Sequence, residues 1–359
     1  MQDSSQWVTR VNTRLEQFIT DRESILRAVS PDLEPFIEFS RQFLSGGKRF
    51  RARCALMGYA TLHEAVPDHV IDVASALEIF HAAALVHDDI MDKSDTRRGA
   101  PSAHRRFESL HRSSGWSGTS DDFGTSSALL LGDLLLAFSD ELYSNGIAAE
   151  SDRVAVRASR IEFDRMRIDV TAGQYLDIVE ERAWPAIDKL DALSRAQRVV
   201  VFKSAKYSIE APLVIGAALG GASASQLNDL RAIGLPLGIA FQLRDDLLGV
   251  FGDPAVTGKP AGDDLREGKR TVLIALAQQQ LPGTAIRLMD ELLGDPELDA
   301  EQIAMLQQTL INSGAVDAVE QMIDEQVASA QSVIDSADLS SSAQHALREL
   351  AEIVSRRSS

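Results

Sequence analysis

An all-α fold of ten or more helices is what this 359-residue sequence predicts, on three observations. Apolar residues recur at helical spacing, as in Val73, Leu77, Phe80 and Ala84, and again in Leu129, Leu130, Leu134, Ala137 and Phe138. Almost no stretch alternates as a strand does. Proline and glycine gather between the apolar runs, at Pro31, Gly46-Gly47, Gly99 to Pro101, Pro185, Gly252 to Pro254, Gly258 to Pro260 and Pro282-Gly283, where they separate one helix from the next.

The elements follow in chain order. The first eighteen residues are polar and lack the apolar core of a signal peptide. Gly46-Gly47 predicts a flexible turn that ends one helix and leads into another. The helix through Val73 to Val86 runs into Asp88-Asp89-Ile90-Met91-Asp92, after which Arg97-Arg98 stand in a loop. Residues 112–126 (RSSGWSGTSDDFGTS) are rich in Ser and Gly and predict a mobile loop with Asp121 and Asp122 in solvent. Apolar helices are expected over 129–138, over 199–219 and up to Asp245-Asp246, followed by a polar loop to Arg270. A boundary is expected near 281–283, with the helices of 284–359 packing on the main bundle.

Composition narrows the function. Hydrophobic content of 45% is ample for a buried core, and a single all-α domain over 1–359 is expected. A net charge of -17 excludes general nucleic-acid binding, which needs a basic face, so any anionic ligand must be met by local cations. Cys54 is the one cysteine, which rules out a disulfide framework and a cysteine zinc site and fits a reducing compartment. No run approaching eighteen apolar residues is apparent, so no stable membrane insertion is expected and the cytoplasm is the expected location.

Two acidic clusters carry the chemistry. On a helix, positions four apart share a face, so Asp88 and Asp92 point together with Asp89 beside them; Asp245-Asp246 form the second cluster. Taken alone such a cluster reads equally as a solvated turn. The apolar flanks at Ala82 to Val86, Phe241 and Leu243 favour a metal site, and hard oxygen donors suit Mg²⁺, which completes its shell with water and phosphate. Cations stand nearby in sequence: Lys48 and Arg51 after the Gly-Gly turn, Arg97-Arg98 past the first cluster, Lys203-Ser204 inside an apolar run, and Lys259 and Lys269 after the second cluster. Each has a bland alternative as a solvated or snorkelling group. His81 lies two helical turns before Asp88 and on its face.

Read together, GGKRFR, HAAALVHDDIMD with TRRG, GQYLD, KSAKYS and FQLRDDLLGVFGDPAVTGKPAGDDLREGKR resemble the trans-isoprenyl diphosphate synthases, the polyprenyl synthetase family. The resemblance implies a large antiparallel bundle of the isoprenoid synthase type around a deep cavity. It also implies isopentenyl diphosphate and an allylic diphosphate as substrates, three Mg²⁺ ions between two Asp-rich helices, and a homodimer. By position, Asp88, Asp89 and Asp92 and then Asp245 and Asp246 would hold metal. Lys48, Arg51, His81 and Arg98 would grip isopentenyl diphosphate. Arg97, Lys203, Lys259 and Lys269 would take the allylic diphosphate. Ser204 and Gln242 would line the reacting carbons, with Gln174 and Asp177 supporting them. Small Ala83 and Ala84 before the first cluster imply a deep shaft floored by Phe80 or Phe138, and geranylgeranyl diphosphate as product, with farnesyl and longer products open.

One departure stands out: Gly249 occupies a place where a third Asp is common in the family, which weakens a full second metal set. Two other enzymes and one non-enzyme compete. A class I terpene cyclase would not require Lys48 and Arg51. An HD-type phosphohydrolase centred on His87-Asp88 would need an upstream His, for which His63 and His69 are candidates, and a downstream Asp, and it would leave the twin Arg, the Gly-Gly-Lys segment and the second acidic cluster idle. A regulatory subunit of a heteromeric synthase would have no need of both acidic clusters.

Overall fold

The computed structural model describes residues 4–186, 188–253 and 262–355. It is helical nearly throughout. The exception among the described residues is a ribbon of two residues per strand, β1 (Thr96–Arg97) and β2 (Ala100–Pro101). The chain forms two compact units, residues 4–159 with 215–222, and residues 160–214 with 223–355. The expected junction at 281–283 falls inside the second unit.

In the first unit, α1 (Ser4–Val29), α2 (Glu34–Leu44), α3 (Phe50–Ala60), α5 (Ala103–Ser114) and α6 (Ser120–Ala148) pack around α4 (Asp68–Met91). Apolar burial explains the arrangement, because α4 is apolar on every side and hides Val70, Val73, Leu77, Ile79, Ala83 and Val86. This helix is long and apolar enough to cross a membrane, contrary to the expectation that no run approaches that length. Its most apolar window is 72% buried, so it is a core helix. Glycines let α6 approach closely: a Cβ on Gly132 would sit 2.1 Å from His87 Nε2, and one on Gly146 would sit 2.8 Å from the His69 carbonyl.

The predicted mobile loop at 112–126 is largely helix. Gly115, at φ 64°, ends α5 in the left-handed conformation that suits a glycine, and Thr119 starts α6 with Asp121 and Asp122 in its first turn. The Thr119 hydroxyl donates to Asp122, and Phe123 packs between His111 and Trp116, with ring centroids 5.2 Å apart in both pairs. The irregular connection is 115–119 only.

In the second unit, α8 (Lys189–Val199) runs into a π-helical stretch, Val200–Glu210, and α10 (Ala224–Phe251) packs along it; α9 (Ala211–Leu219) continues the π stretch, with its residues from 215 onward in the first unit. Such wide turns are rare and recur at functional sites. Glycines again set the spacing: a Cβ on Gly238 would meet the Ala205 carbonyl at 2.3 Å, and one on Gly173 of α7 (Arg153–Ala183) would meet the Lys203 amide at 2.3 Å. Ser223 and Gln226 cap α10 reciprocally. The helices of Val272–Gln280, Ala315–Ser336 and Ser341–Ser355 complete this unit.

Candidate active site

The first unit gathers the first acidic cluster and a group of cations around it. Asp88 and Asp92 stack by one helical turn, since the Asp92 amide donates to the Asp88 carbonyl at 2.8 Å. Asp89 is wholly buried and paired with Arg97, whose Nε donates to Oδ1 at 2.9 Å; Arg97 Nη2 also lies 3.6 Å from Asp88. Arg97 is therefore a counter-ion of the cluster itself. Arg98 and Gly99, at φ 53° and 73°, form the two-residue turn between β1 and β2, the geometry a tight hairpin requires. This turn lays the Arg98 guanidinium over Gly47, where a Cβ would come within 3.3 Å of it.

Arg49, at φ 51°, and Lys93, at φ 55°, join Arg98 in the left-handed region, which disfavours residues bearing a Cβ. Lys93 and Arg98 follow the acidic turn, and Arg49 ends the Gly46-Gly47 turn that the Arg98 guanidinium covers. Lys48 is exposed and Arg51 half-buried at the start of α3. His81 is kept neutral by burial first and then by the positive charges of Arg51, Arg98, Arg97 and Arg49, which places the imidazole among the cations.

Sequence reasoning passed over two residues here. Arg49 is 5% exposed, donates from Nε to Asn12 at 2.7 Å and to the Leu44 carbonyl, and lies 3.7 Å from Glu78. Glu78 is 6% exposed and accepts the Ala52 amide at 3.0 Å. A glutamate on an apolar helix face ten residues before Asp88 was the signal that pointed to it.

The second unit holds the rest. Lys203 is paired with Asp177, and Lys206 with Asp169 at 2.9 Å. Ser204 is half-buried on the same π stretch, as Gln174 is on α7. Gln242 donates to Asp246 at 2.7 Å. Asp245 is exposed while Asp246 is buried, and Asp246 keeps its proton far above the usual carboxylate range because of burial and the nearby Asp264 and Asp245 charges. Lys269 reaches Glu267 at 2.7 Å and Asp264 at 3.8 Å. Lys259 lies outside the described residues.

Asp264 accounts for Gly249. A Cβ at 249 would fall 2.0 Å from the Asp264 Oδ2 and 2.4 Å from its Cγ, so the Asp264 carboxylate fills the space that a side chain at 249 would need. The second acidic group thus contains Asp245, Asp246 and, eighteen residues after Asp246, Asp264. That compensation is invisible to a motif read along the chain.

The donors fit magnesium. They are carboxylate oxygens on rigid helices, and Asp246 stands among carboxylates in need of positive charge. Among the described residues no group of three acidic, His or Cys side chains is arranged to hold an ion unaided. The phosphohydrolase reading fails on geometry: His87 Nε2 faces the Leu129 carbonyl at 3.2 Å, His63 faces the Gly220 carbonyl at 2.9 Å, and His69 faces Glu150 at 3.3 Å. These imidazoles serve three separate packing contacts.

Comparison with known proteins agrees with this donor set. The polyprenyl synthetase pattern matches residues 34–310. The chain belongs to the polyprenyl synthetase family. It is similar to a geranylgeranyl pyrophosphate synthase of Corynebacterium glutamicum, whose crystal structure holds isoprenyl diphosphate and magnesium: 38% identity, a TM-score of 0.92, and 99% of each chain covered. It is 33% identical over 278 residues to the geranylfarnesyl diphosphate synthase of Aeropyrum pernix, covering 77% of this chain and 79% of that one. It is 35% identical over 233 residues to the geranylgeranyl diphosphate synthase of Mycobacterium tuberculosis, covering 65% of this chain and 59% of that one. As a member of this magnesium-dependent family the protein is a polyprenyl diphosphate synthase, a trans-prenyltransferase that elongates isoprenoid chains on an all-helical isoprenoid synthase fold. Its relatives make products of different lengths.

Proposed function

We propose that residues 1–359 act as one catalytic domain that condenses isopentenyl diphosphate with allylic diphosphates and releases geranylgeranyl diphosphate. Asp88, Asp92, Asp245 and Asp246 hold three Mg²⁺ ions, with Asp89 and its partner Arg97 fixing the first turn. Bound magnesium supplies positive charge that stabilises the departing diphosphate. Lys48, Arg51, Arg98 and neutral His81 hold isopentenyl diphosphate. Lys203, Lys259 and Lys269 hold the allylic diphosphate, and Ser204 and Gln242 line the reacting carbons with Gln174 and Asp177 behind them. The allylic C–O bond breaks with its electron pair going to diphosphate. The double bond of isopentenyl diphosphate then forms the new C–C bond, and the proton lost passes to the released diphosphate.

The observation that carries the product length is Ala84, one turn before Asp88. It keeps an accessible face, whereas its neighbour Ala83 has none. A methyl group there leaves room for a chain longer than farnesyl, and each isoprene unit adds roughly 4 kcal/mol of apolar burial until a side chain blocks it. Phe80 and Phe138, 6% and 8% exposed, are the proposed floor. Incubation with Mg²⁺, labelled isopentenyl diphosphate and each allylic starter, followed by sizing, tests this. A twenty-carbon product supports the reading; a fifteen-carbon product, or one longer than twenty carbons, overturns it.

The second copy is supported by α7, which exposes Val154, Ile161, Ile168 and Tyr175 at 78%, 48%, 69% and 67%. They recur every seven residues, a spacing that drifts by only about 20° per repeat and so forms one apolar stripe. Ile161→Glu with Ile168→Glu should convert a dimer to a monomer by sedimentation. A parent that sediments as a monomer overturns this assignment.

A further inference from the structure

The buried pair Glu78 and Arg49 lies beneath the Gly-Gly-Lys turn and has no part in the chemistry assigned above. Glu78 sits on α4, one turn before His81, and its Oε1 accepts the Ala52 amide in the first turn of α3 at 3.0 Å. Its other oxygen lies 3.7 Å from Arg49 Nη1, and both side chains are almost wholly excluded from solvent, at 6% and 4% exposure. Arg49 in turn reaches the Asn12 side chain at 2.7 Å and the Leu44 carbonyl at the end of α2. One ion pair therefore ties α1, the end of α2, the start of α3 and α4.

The backbone shows why that tie is needed. Gly46, Gly47 and Arg49 all have positive φ, at 67°, 82° and 51°, and Arg49 adopts this conformation despite its Cβ. No side chain of the turn itself caps α3, and the free amide of Ala52 is met from a different helix. Lys48 and Arg51 flank this fastened point, Lys48 directly before Arg49 and Arg51 directly before Ala52. Positive charge also gathers around it, since Glu78 is a favourable charge for Arg98 as well as for Arg49. Two long cations next to a flexible glycine pair would lose much of their grip to conformational freedom unless the backbone were fixed.

We infer that Glu78 and Arg49 are positioning residues for the diphosphate of isopentenyl diphosphate: the buried pair fixes the turn so that Lys48 and Arg51 meet that diphosphate together. The inference rests on the reading that Lys48 and Arg51 bind this substrate.

Removing one member leaves a buried charge alone and can unfold the protein, so the decisive variant is the double substitution Arg49→Met with Glu78→Gln, which removes both charges of the pair together and keeps an acceptor for Ala52. Steady-state kinetics with Mg²⁺ measure KM for isopentenyl diphosphate and for an allylic starter separately, beside thermal unfolding of each variant, with Lys48→Ala as reference. The expected result is a KM for isopentenyl diphosphate raised about tenfold or more in both Lys48→Ala and the double variant, the scale of one lost charge-assisted contact. The KM for the allylic starter should change less than twofold, and the double variant should still unfold cooperatively. If Lys48→Ala raises the isopentenyl KM and the double variant does not, or raises both KM values alike, the positioning role is overturned and the binding reading stands. If Lys48→Ala leaves the isopentenyl KM unchanged, both are overturned.

Discussion

Gly249→Asp would add a carboxylate to the second acidic cluster, and the structure says it should do harm. A Cβ at 249 would stand 2.0 Å from Asp264 Oδ2, well inside the 3.4 Å of ordinary contact, so the Asp264 carboxylate must move by more than 1 Å. Moving it also disturbs its contact with Lys269, whose Nζ lies 3.8 Å from the carboxylate. Overpacking alone costs about 1–3 kcal/mol, which Gly249→Ala isolates. The aspartate adds a charge beside Asp245, Asp246 and Asp264, up to about 4 kcal/mol for a neighbour at roughly 4 Å and an effective dielectric near 20. The assay is thermal unfolding without metal together with the Mg²⁺ concentration giving half-maximal elongation. Gly249→Asp should melt several degrees below Gly249→Ala at neutral pH without Mg²⁺, and should need more Mg²⁺ than the parent. Adding Asp264→Gly should restore much of both. A Gly249→Asp protein with the parent's melting temperature and Mg²⁺ requirement would refute the argument that Asp264 holds that space.

Ala84→Phe should shorten the product by at least one isoprene unit, read by sizing the labelled products; an unchanged distribution removes Ala84 from the wall. Asp89→Ala strands Arg97 without its principal partner and should cost about 3–5 kcal/mol, whereas Asp89→Asn, which keeps one acceptor, should cost less; urea denaturation separates the two. Glu210 is held above the usual carboxylate range, by burial first, with Lys206 and Arg231 opposing. Its contribution to stability is therefore complete below about pH 4.5 and is lost as pH rises through the folded-state value. Glu210→Gln should flatten that decline and be more stable than the parent at neutral pH; equal urea midpoints from pH 4 to 8 would show that the carboxyl is not strained.

Local pattern determined the helical class, because the side chains that build each helix lie three and four residues apart and can be read along the chain. The same holds for both acidic clusters and most of the cations, whose spacing is a property of single turns and helices. Residues 112–126 show where composition misleads: Ser and Gly argued for a loop, yet a glycine cap at 115, a hydrogen bond between the Thr119 and Asp122 side chains and the packing of Phe123 on His111 and Trp116 make most of it helix. Only the tertiary structure decided which charges answer one another. Asp89 belongs to Arg97, Glu78 to Arg49 and the Ala52 amide, and Asp264 to the space above Gly249. Those partners are eight to twenty-nine residues apart, joined by helix packing and by turns with positive φ, and the energy of pairing a buried charge has no signature in local periodicity.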